Sequence, residues 1–592
     1  MISSLGWTIS QWLSLTLDER REHVQQLLSA IDPHDPMWIS CADDRMLEQA
    51  LAAADPQAPM YGVPFVVKDN IDAAGWVTTA ACREFAYMAA EDAAAVAALR
   101  ASGMILIGKT NMDQFATGLV GTRSPYGAVP NPFNSQYISG GSSSGSAAAV
   151  SRGLVPVALG TDTAGSGRVP AACCNIVGLK PSLGQISTHG VVPACRSLDC
   201  VSIFALTVHD AACVLQHCQG FDARDPYSQA PRQLPVAMPQ RLGIPDEMEW
   251  YGDEAAAAAW QESLEHWRQA GATLVPCSFA AMRALALLLY EGPWVAERHA
   301  AIREFFTTQR EVMNPIVAGI IAKAESFSAS DAYSAEYQRQ ALKRAIHAHF
   351  ATADALLVPT APRLPRLDAV AADPVGVNSQ LGLWTNFVNL ADCCALALPA
   401  QMRPDGLPFG VTLIAPAGHD QALAALGSRW TSQQALPLGA TGAPWPQLPP
   451  LESGSQTSAC EHKLLAVVGA HLSGQPLNQQ LTERGGRLAE TTTTAAAYQL
   501  CALAHSSPAK PGMRRLKEGG HAITVELWEL SPQAFAELVA LVPAPLAIGR
   551  VSLADGREVC GFVAQDGALD DAEDISHFGG WREYLAHRNE QG

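Results

Sequence analysis

Three short stretches near the start of the chain carry side chains that could do chemistry together. Gly62-Val63-Pro64-Phe65-Val66-Val67-Lys68-Asp69 ends on a lysine, Gly140-Gly141-Ser142-Ser143-Ser144-Gly145-Ser146 is a glycine-serine run, and Asp162-Thr163-Ala164-Gly165-Ser166-Gly167-Arg168 sets a serine directly after a glycine. Each places a potentially reactive group beside residues that let backbone N–H groups converge, as acyl transfer requires for a developing oxyanion. The combination suggests a serine nucleophile activated without histidine, acting on an amide. Ser166 follows the apolar run Val155–Leu159 through a strand-to-loop passage that exposes consecutive amides. Lys68 ends the apolar run Val63–Val67, where an ammonium is poorly solvated. Bringing a lysine down toward neutrality takes roughly 4–5 kcal/mol, within the range burial supplies, and a neutral Lys68 could accept a proton. Taken alone, a strand-end lysine is usually solvated or salt-bridged. Asp162 and Arg168 read as an ion pair bracing the loop.

The same residues admit other uses. The Gly140 to Val150 stretch looks like a turn feeding a helix N-terminus with free N–H groups, which also suits capping or a phosphate cradle. No G-K-[ST] ending follows it. Gly103 to Thr110 has the phosphate-loop spacing, but its middle residues form an apolar strand rather than a flexible cradle. Gly141-Ser142-Ser143-Ser144-Gly145 matches G-x-S-x-G, which would make Ser143 the nucleophile, yet the approach Pro132 to Tyr137 is polar and turn-like where an elbow needs a buried strand.

The elements that must position these groups follow from the apolar pattern. Val63–Val67, Met104–Ile107, Val155–Leu159, Ile203–Leu206, Leu242–Ile244, Leu274–Val275 and Ala355–Val358 read as strands, and Glu91–Ala101, Asp253–Ala270 and Ala329–Phe350 as helices. That alternation predicts an α/β layer architecture with a mixed or parallel sheet. A domain over 1–436 is expected, then a Pro/Gly/Ser-rich linker over 437–458, then a smaller α+β domain over 459–592. In the last, Leu464–Val468 and Ala522–Leu530 read as strands, Pro532–Leu541 as a helix, and Leu546–Val563 as a hairpin turning at Asp555-Gly556. The threonine run Thr491–Thr494 is placed at a loop or strand edge.

With 592 residues, 48% hydrophobic and 16% charged, the chain must bury a large core and is not disordered. A net charge of −18 with no Lys/Arg-rich block argues against nucleic acid, and an anionic substrate would need a dedicated local cation. Fourteen cysteines form no compact disulfide framework and read as buried thiols. His189, Cys195 and Cys200 lack paired zinc knuckles, so no metal is expected. The first residues do not read as a signal peptide and no apolar run is long enough to span a membrane, which predicts a cytoplasmic protein.

The three segments together resemble the amidase signature family over roughly residues 20 to 435. The resemblance implies an α/β/α sandwich around a central mixed sheet. It also implies a triad of Ser166 as nucleophile, Ser142 as bridging serine after a cis peptide, and Lys68 as base. An oxyanion hole from the amides of Thr163, Ala164, Gly165 and Ser166 would complete the site, with no cofactor. The chain departs from the family at Ala164 and Ser144, where glycine is common. Within the family, Tyr290-Glu291-Gly292-Pro293-Trp294-Val295-Ala296-Glu297-Arg298 is similar to the allophanate hydrolase segment in which Tyr290 and Arg298 would hold the substrate carboxylate, with Gly118 as a weaker backbone contact. The C-terminal part resembles the extra, cyclotransferase-like domain of allophanate hydrolases. There His471 would be a candidate base in processing N-carboxycarbamate toward decarboxylation; a structural histidine is the alternative. The resemblance thus implies cleavage of allophanate to ammonia and carbon dioxide, a homodimer, and association with urea carboxylase. A broad amidase or the amidase component of an amidotransferase is the alternative. A C-terminal docking or dimerisation scaffold is an alternative of another class.

Overall fold

The computed structural model describes residues 5–231, 238–451, 463–503, 508–530, 532–565 and 567–591. It divides into two compact units, Met1–Gly454 and Ser455–Gly592.

The first unit is built on an eleven-stranded mixed sheet. Its strands lie in the order Trp38–Cys41, Ile105–Thr110, Pro64–Lys68, Val157–Asp162, Cys200–Ala205, Val177–Lys180, Cys393–Met402, Pro408–Pro416, Ala355–Pro359, Arg241–Pro245 and Thr273–Cys277. Pro64–Lys68 pairs in parallel with Ile105–Thr110 on one side and with Val157–Asp162 on the other. All three strands are buried along their whole length, which explains their near-continuous apolar sequence. The observed strands overrun the expected ones at their C-terminal ends. Val155–Leu159 becomes Val157–Asp162 and Met104–Ile107 becomes Ile105–Thr110, because polar Thr161, Asp162, Lys109 and Thr110 remain in the ladder.

The glycine-serine run passes into the helix Ser144–Ser151, all eight residues of which are buried. Only small side chains fit there: a Cβ on Gly145 would stand 2.5 Å from the Met37 carbonyl oxygen. Expected helices around 94–101, 254–269 and 329–348 are present.

The stretch expected to be a linker is not free over its described part. Leu438 and Trp445 are buried in the main core, the Pro449 carbonyl meets His209 Nε2 at 2.7 Å, and Leu451 N–H donates to Ser428 Oγ at 2.8 Å. The apolar residues between the prolines outweigh the turn composition; residues 452–458 of that stretch lie outside the described residues.

The second unit holds a five-stranded sheet ordered Arg487–Thr493, Thr524–Leu530, Lys463–Val467, Glu558–Ala564 and Leu546–Ser552, with a three-stranded sheet beside it. The expected hairpin pairs Leu546–Ser552 with Glu558–Ala564, and Gly556 in its turn has φ +89°. Thr491–Thr493 lie in the edge strand. Pro532–Ala540 is helical.

Candidate active site

Lys68 is the last residue of a central strand and is fully buried. Its Nζ lies 2.7 Å from Ser142 Oγ and 2.7 Å from Thr161 Oγ1, donating to both. Burial pulls its pKa down from 10.5 to about 7, against the opposing pull of Asp113, Asp199 and Asp162. The cause is desolvation, which penalises the ammonium and leaves the amine half neutral near pH 7. When Lys68 is neutral, its bond to Ser142 can reverse, with the hydroxyl donating.

Ser142 is also fully buried and follows a cis Gly141–Ser142 peptide bond. Gly141 N–H donates to the Leu119 carbonyl at 2.8 Å, and the Ser142 carbonyl accepts from Asp113 N–H at 3.0 Å. Glycine is needed before Ser142, since a Cβ there would run into the Asp113 carboxylate. Ser143 instead bonds to the backbone of the strand, its Oγ donating to the Thr161 carbonyl at 3.3 Å, as a structural residue would.

Ser166 Oγ lies 3.5 Å from the Gly118 carbonyl, which accepts from it; among the described residues no direct hydrogen bond joins it to Ser142. The N–H groups of Thr163, Ala164, Gly165 and Ser166 have no acceptor among the described residues. Four consecutive unpaired amides in a buried loop are rare, because such groups are costly to leave unmet, and here they can serve an incoming oxyanion. Gly165 has φ +150°, a conformation open to glycine, and a Cβ on it would strike Thr385 Oγ1. The loop is braced by the buried pair expected from the sequence. Arg168 Nε and Nη2 donate to the two Asp162 oxygens at 2.8 and 2.9 Å, and Gly167 N–H donates to the same carboxylate at 3.0 Å.

Arg298 is 2% exposed, on the helix Val295–Ala301. It donates to Thr117 Oγ1 at 3.1 Å, to the Ala116 carbonyl at 3.4 Å and to Tyr290 OH at 3.3 Å, with its guanidinium 5.1 Å from the Tyr290 ring centre. Its Nε has no hydrogen-bond partner, and no carboxylate among the described residues forms a direct ion pair with it, Asp199 and Glu297 acting on it only from farther away. A buried cation left in that state has room for an anion. Thr117 and Gly118 are adjacent, so one loop reaches Arg298 through the first and Ser166 through the second.

Residues 21–424 match the Amidase family, and residues 463–586 the Allophanate hydrolase C-terminal domain. The chain belongs to the amidase family. A urea amidolyase of Lachancea kluyveri is 43% identical over 99% of this chain, which spans 33% of that relative's length. The allophanate hydrolase of Kluyveromyces lactis superposes with a TM-score of 0.76 at 41% identity, covering 99% of this chain and 100% of that one. A glutamyl-tRNA(Gln) amidotransferase chain of Thermotoga maritima, with a TM-score of 0.63 and 26% identity, covers only 76% of this chain.

Outside the amidase match, His471 lines a cavity of about 220 Å³ in the second unit, walled by Leu477, Leu538, Leu546 and Phe562. Its ring stacks on Phe562 at 4.8 Å and Nε2 meets Gln480 Oε1 at 3.1 Å. Burial lowers its pKa, so the neutral imidazole is favoured.

Several residues of this amidase site are missed in a reading of the sequence. Thr161 shares Lys68 with Ser142, and Asn70 reaches Thr161 Oγ1 at 3.4 Å. Asp199 accepts from Thr163 Oγ1 at 2.5 Å and from the amides of Ala194 and Cys195 at 2.8 and 3.1 Å. Asp113 holds the Gly121 and Arg123 amides at 3.0 and 2.9 Å. Their one visible cue is a carboxylate or hydroxyl set in an apolar or glycine-rich run. The trio His189, Cys195 and Cys200 separates into other partners: His189 pairs with Glu91 at 3.0 Å, while the Cys195 and Cys200 thiols lie against the Trp294 and Pro181 carbonyls.

Proposed function

We propose that this chain hydrolyses allophanate through an acyl-enzyme on Ser166. Neutral Lys68 takes the proton of Ser142, which takes that of Ser166 as its Oγ attacks the terminal amide carbon. The four unpaired amides receive the oxyanion, worth about 2.7–4 kcal/mol for each donor in comparable sites. The proton on Lys68 returns through Ser142 to the departing nitrogen, and ammonia leaves. Water then cleaves the ester, releasing N-carboxycarbamate. The approach of Ser166 to Ser142 completes on substrate binding, as catalytic hydrogen bonds commonly tighten only then.

The observation that carries the reading is the pairing of that lysine-serine contact with a buried Arg298 that has no direct ion pair among the described residues and is bonded to the loop that touches Ser166. Allophanate is a small amide with a carboxylate at its other end, and a guanidinium fork binds such a group bidentately. In the second unit, we assign His471 as the group that handles the proton when N-carboxycarbamate loses carbon dioxide. The apolar walls formed by Leu538, Leu546 and Phe562 favour that step by partly desolvating the carboxylate.

The chain spans 33% of the length of the urea amidolyase it matches, and a urea-carboxylating activity would supply the substrate. We place the protein in the cytoplasm as a homodimer, the latter checked by sedimentation of the full chain. No helix among the described residues is long and apolar enough to cross a membrane. The deciding experiment is turnover of the purified chain on allophanate against glutamine, acetamide and malonamide. Preference for allophanate is expected; activity confined to the other three overturns the reading.

A further inference from the structure

The residue before Arg298 makes a contact that neither the triad nor the oxyanion loop uses. Glu297 accepts from Ser197 twice: Ser197 N–H at 2.9 Å on Oε2 and Ser197 Oγ at 2.5 Å on Oε1. Ser197 belongs to a tight loop closed by Asp199, whose carboxylate gathers the Ala194 and Cys195 amides. The same carboxylate accepts the Thr163 hydroxyl, and Thr163 opens the run of unpaired amides before Ser166. A second tie comes from Cys195 Sγ, 3.6 Å from the Trp294 carbonyl at the start of the Arg298 helix. That helix, Val295–Ala301, has only seven residues and no side-chain cap, so its orientation depends on such outside contacts.

We propose that Glu297 is a positioning residue that couples carboxylate recognition at Arg298 to the geometry of the oxyanion loop, through Ser197, the 194–199 loop, Asp199 and Thr163. The inference rests on the carboxylate-amide reading above. Binding of a substrate carboxylate fixes Arg298 and with it the helix. Glu297 transmits that fixation to the loop that holds Thr163, so a carboxylate at one end of the substrate raises turnover at the other. Binding energy remote from the reacting bond is then expressed in kcat rather than in KM alone. A Glu297 that merely braced the surface would lower turnover of every amide alike.

The test compares two pairs of amides that differ in one carboxylate, allophanate with biuret and malonamate with malonamide, on the full-length wild type and on Glu297→Ala, Glu297→Gln and Ser197→Ala. Wild type is expected to show a higher kcat on the charged member of each pair. Loss of a hydrogen-bonded carboxylate is expected to lower kcat on the charged members about ten-fold and on the uncharged members less than about two-fold. Glu297→Gln, which keeps an acceptor for the Ser197 amide, is expected to recover most of the difference. Ser197→Ala, which keeps that amide bond, is expected to fall between, and these two variants decide the matter if Glu297→Ala does not fold. Equal losses on both members of a pair, or no loss on either, overturn the coupling. Absence of allophanate turnover in wild type overturns the substrate reading instead, and the malonamate pair then tests the coupling by itself.

Discussion

Replacing Lys68 by methionine tests the chemistry at its base, because methionine keeps most of the side-chain volume while removing the amine. In the wild type, a base with a pKa of about 7 makes kcat/KM rise with pH through 7 and level off above it. At pH 6 about one tenth of Lys68 is neutral, so activity there should be about a tenth of the plateau. Methionine removes the proton acceptor and strands the Ser142 and Thr161 hydroxyls, each 2.7 Å from the missing nitrogen. The expected loss in kcat is about 10²–10⁴-fold, the range for removing a general base, and the limb near pH 7 should vanish. Stability has its own signature. The folded chain holds Lys68 at about 7 against its ordinary 10.5, so the unfolded chain binds the extra proton between those values. Wild-type stability therefore gains from this group as pH rises from 7 toward 10.5, and the penalty is complete below 7. That contribution is on the order of 5 kcal/mol, and Lys68→Met should flatten it in denaturant titrations across the same window. Initial rates from pH 5.5 to 9 read the first effect, and urea melts from pH 7 to 10.5 read the second. Retained turnover, or an unchanged limb in the methionine variant, refutes the reasoning.

Gly165→Ala should lower kcat by about 10²-fold or more, since its Cβ would meet Thr385 Oγ1 and shift the unpaired amides; steady-state kinetics with an unchanged melting temperature would separate this from unfolding. Asp162→Ala leaves Arg168 buried without its carboxylate and should cost about 3–5 kcal/mol of stability, read by urea titration. Arg298→Ala should raise KM for allophanate far more than for biuret, and equal effects on the two would remove it as the carboxylate site. In the second unit, His471→Ala should leave release of the first ammonia intact and slow carbon dioxide release, measured by coupled assays of each product.

The sheet was legible where strands are continuously apolar and obscure where chemistry or proline interrupts them. Apolar runs located the strands around Phe65, Leu106 and Leu159, but they stop short at Thr110 and Asp162, whose polar side chains remain inside because they face buried partners. Cys393–Met402 and Pro408–Pro416 escaped notice: Pro399 sits at a register shift, and prolines bound the second strand, so both resemble broken segments. The proline-rich stretch after Leu436 misled in the opposite sense, since composition signalled a linker while Leu438 and Trp445 had a core to enter. Lys68, Ser142 and Ser166 stood out because glycines and a strand end surround them. Thr161 and Asp199 did not, for a hydroxyl or carboxylate within an apolar run gives no hint of which distant group it meets until the strands are paired.

The helix Ser144–Ser151 has no side facing water, and that has a consequence for how this molecule can vary. An ordinary surface helix offers half its positions to drift at little expense, whereas here any added bulk must push against the strand beneath or the backbone around it. Such a push would open a path for water toward the amine at the strand end, and an amine that regains hydration stays protonated at neutral pH. Damage to this helix should therefore first show as a more alkaline pH profile in a chain that still folds, and only with larger side chains as loss of the fold.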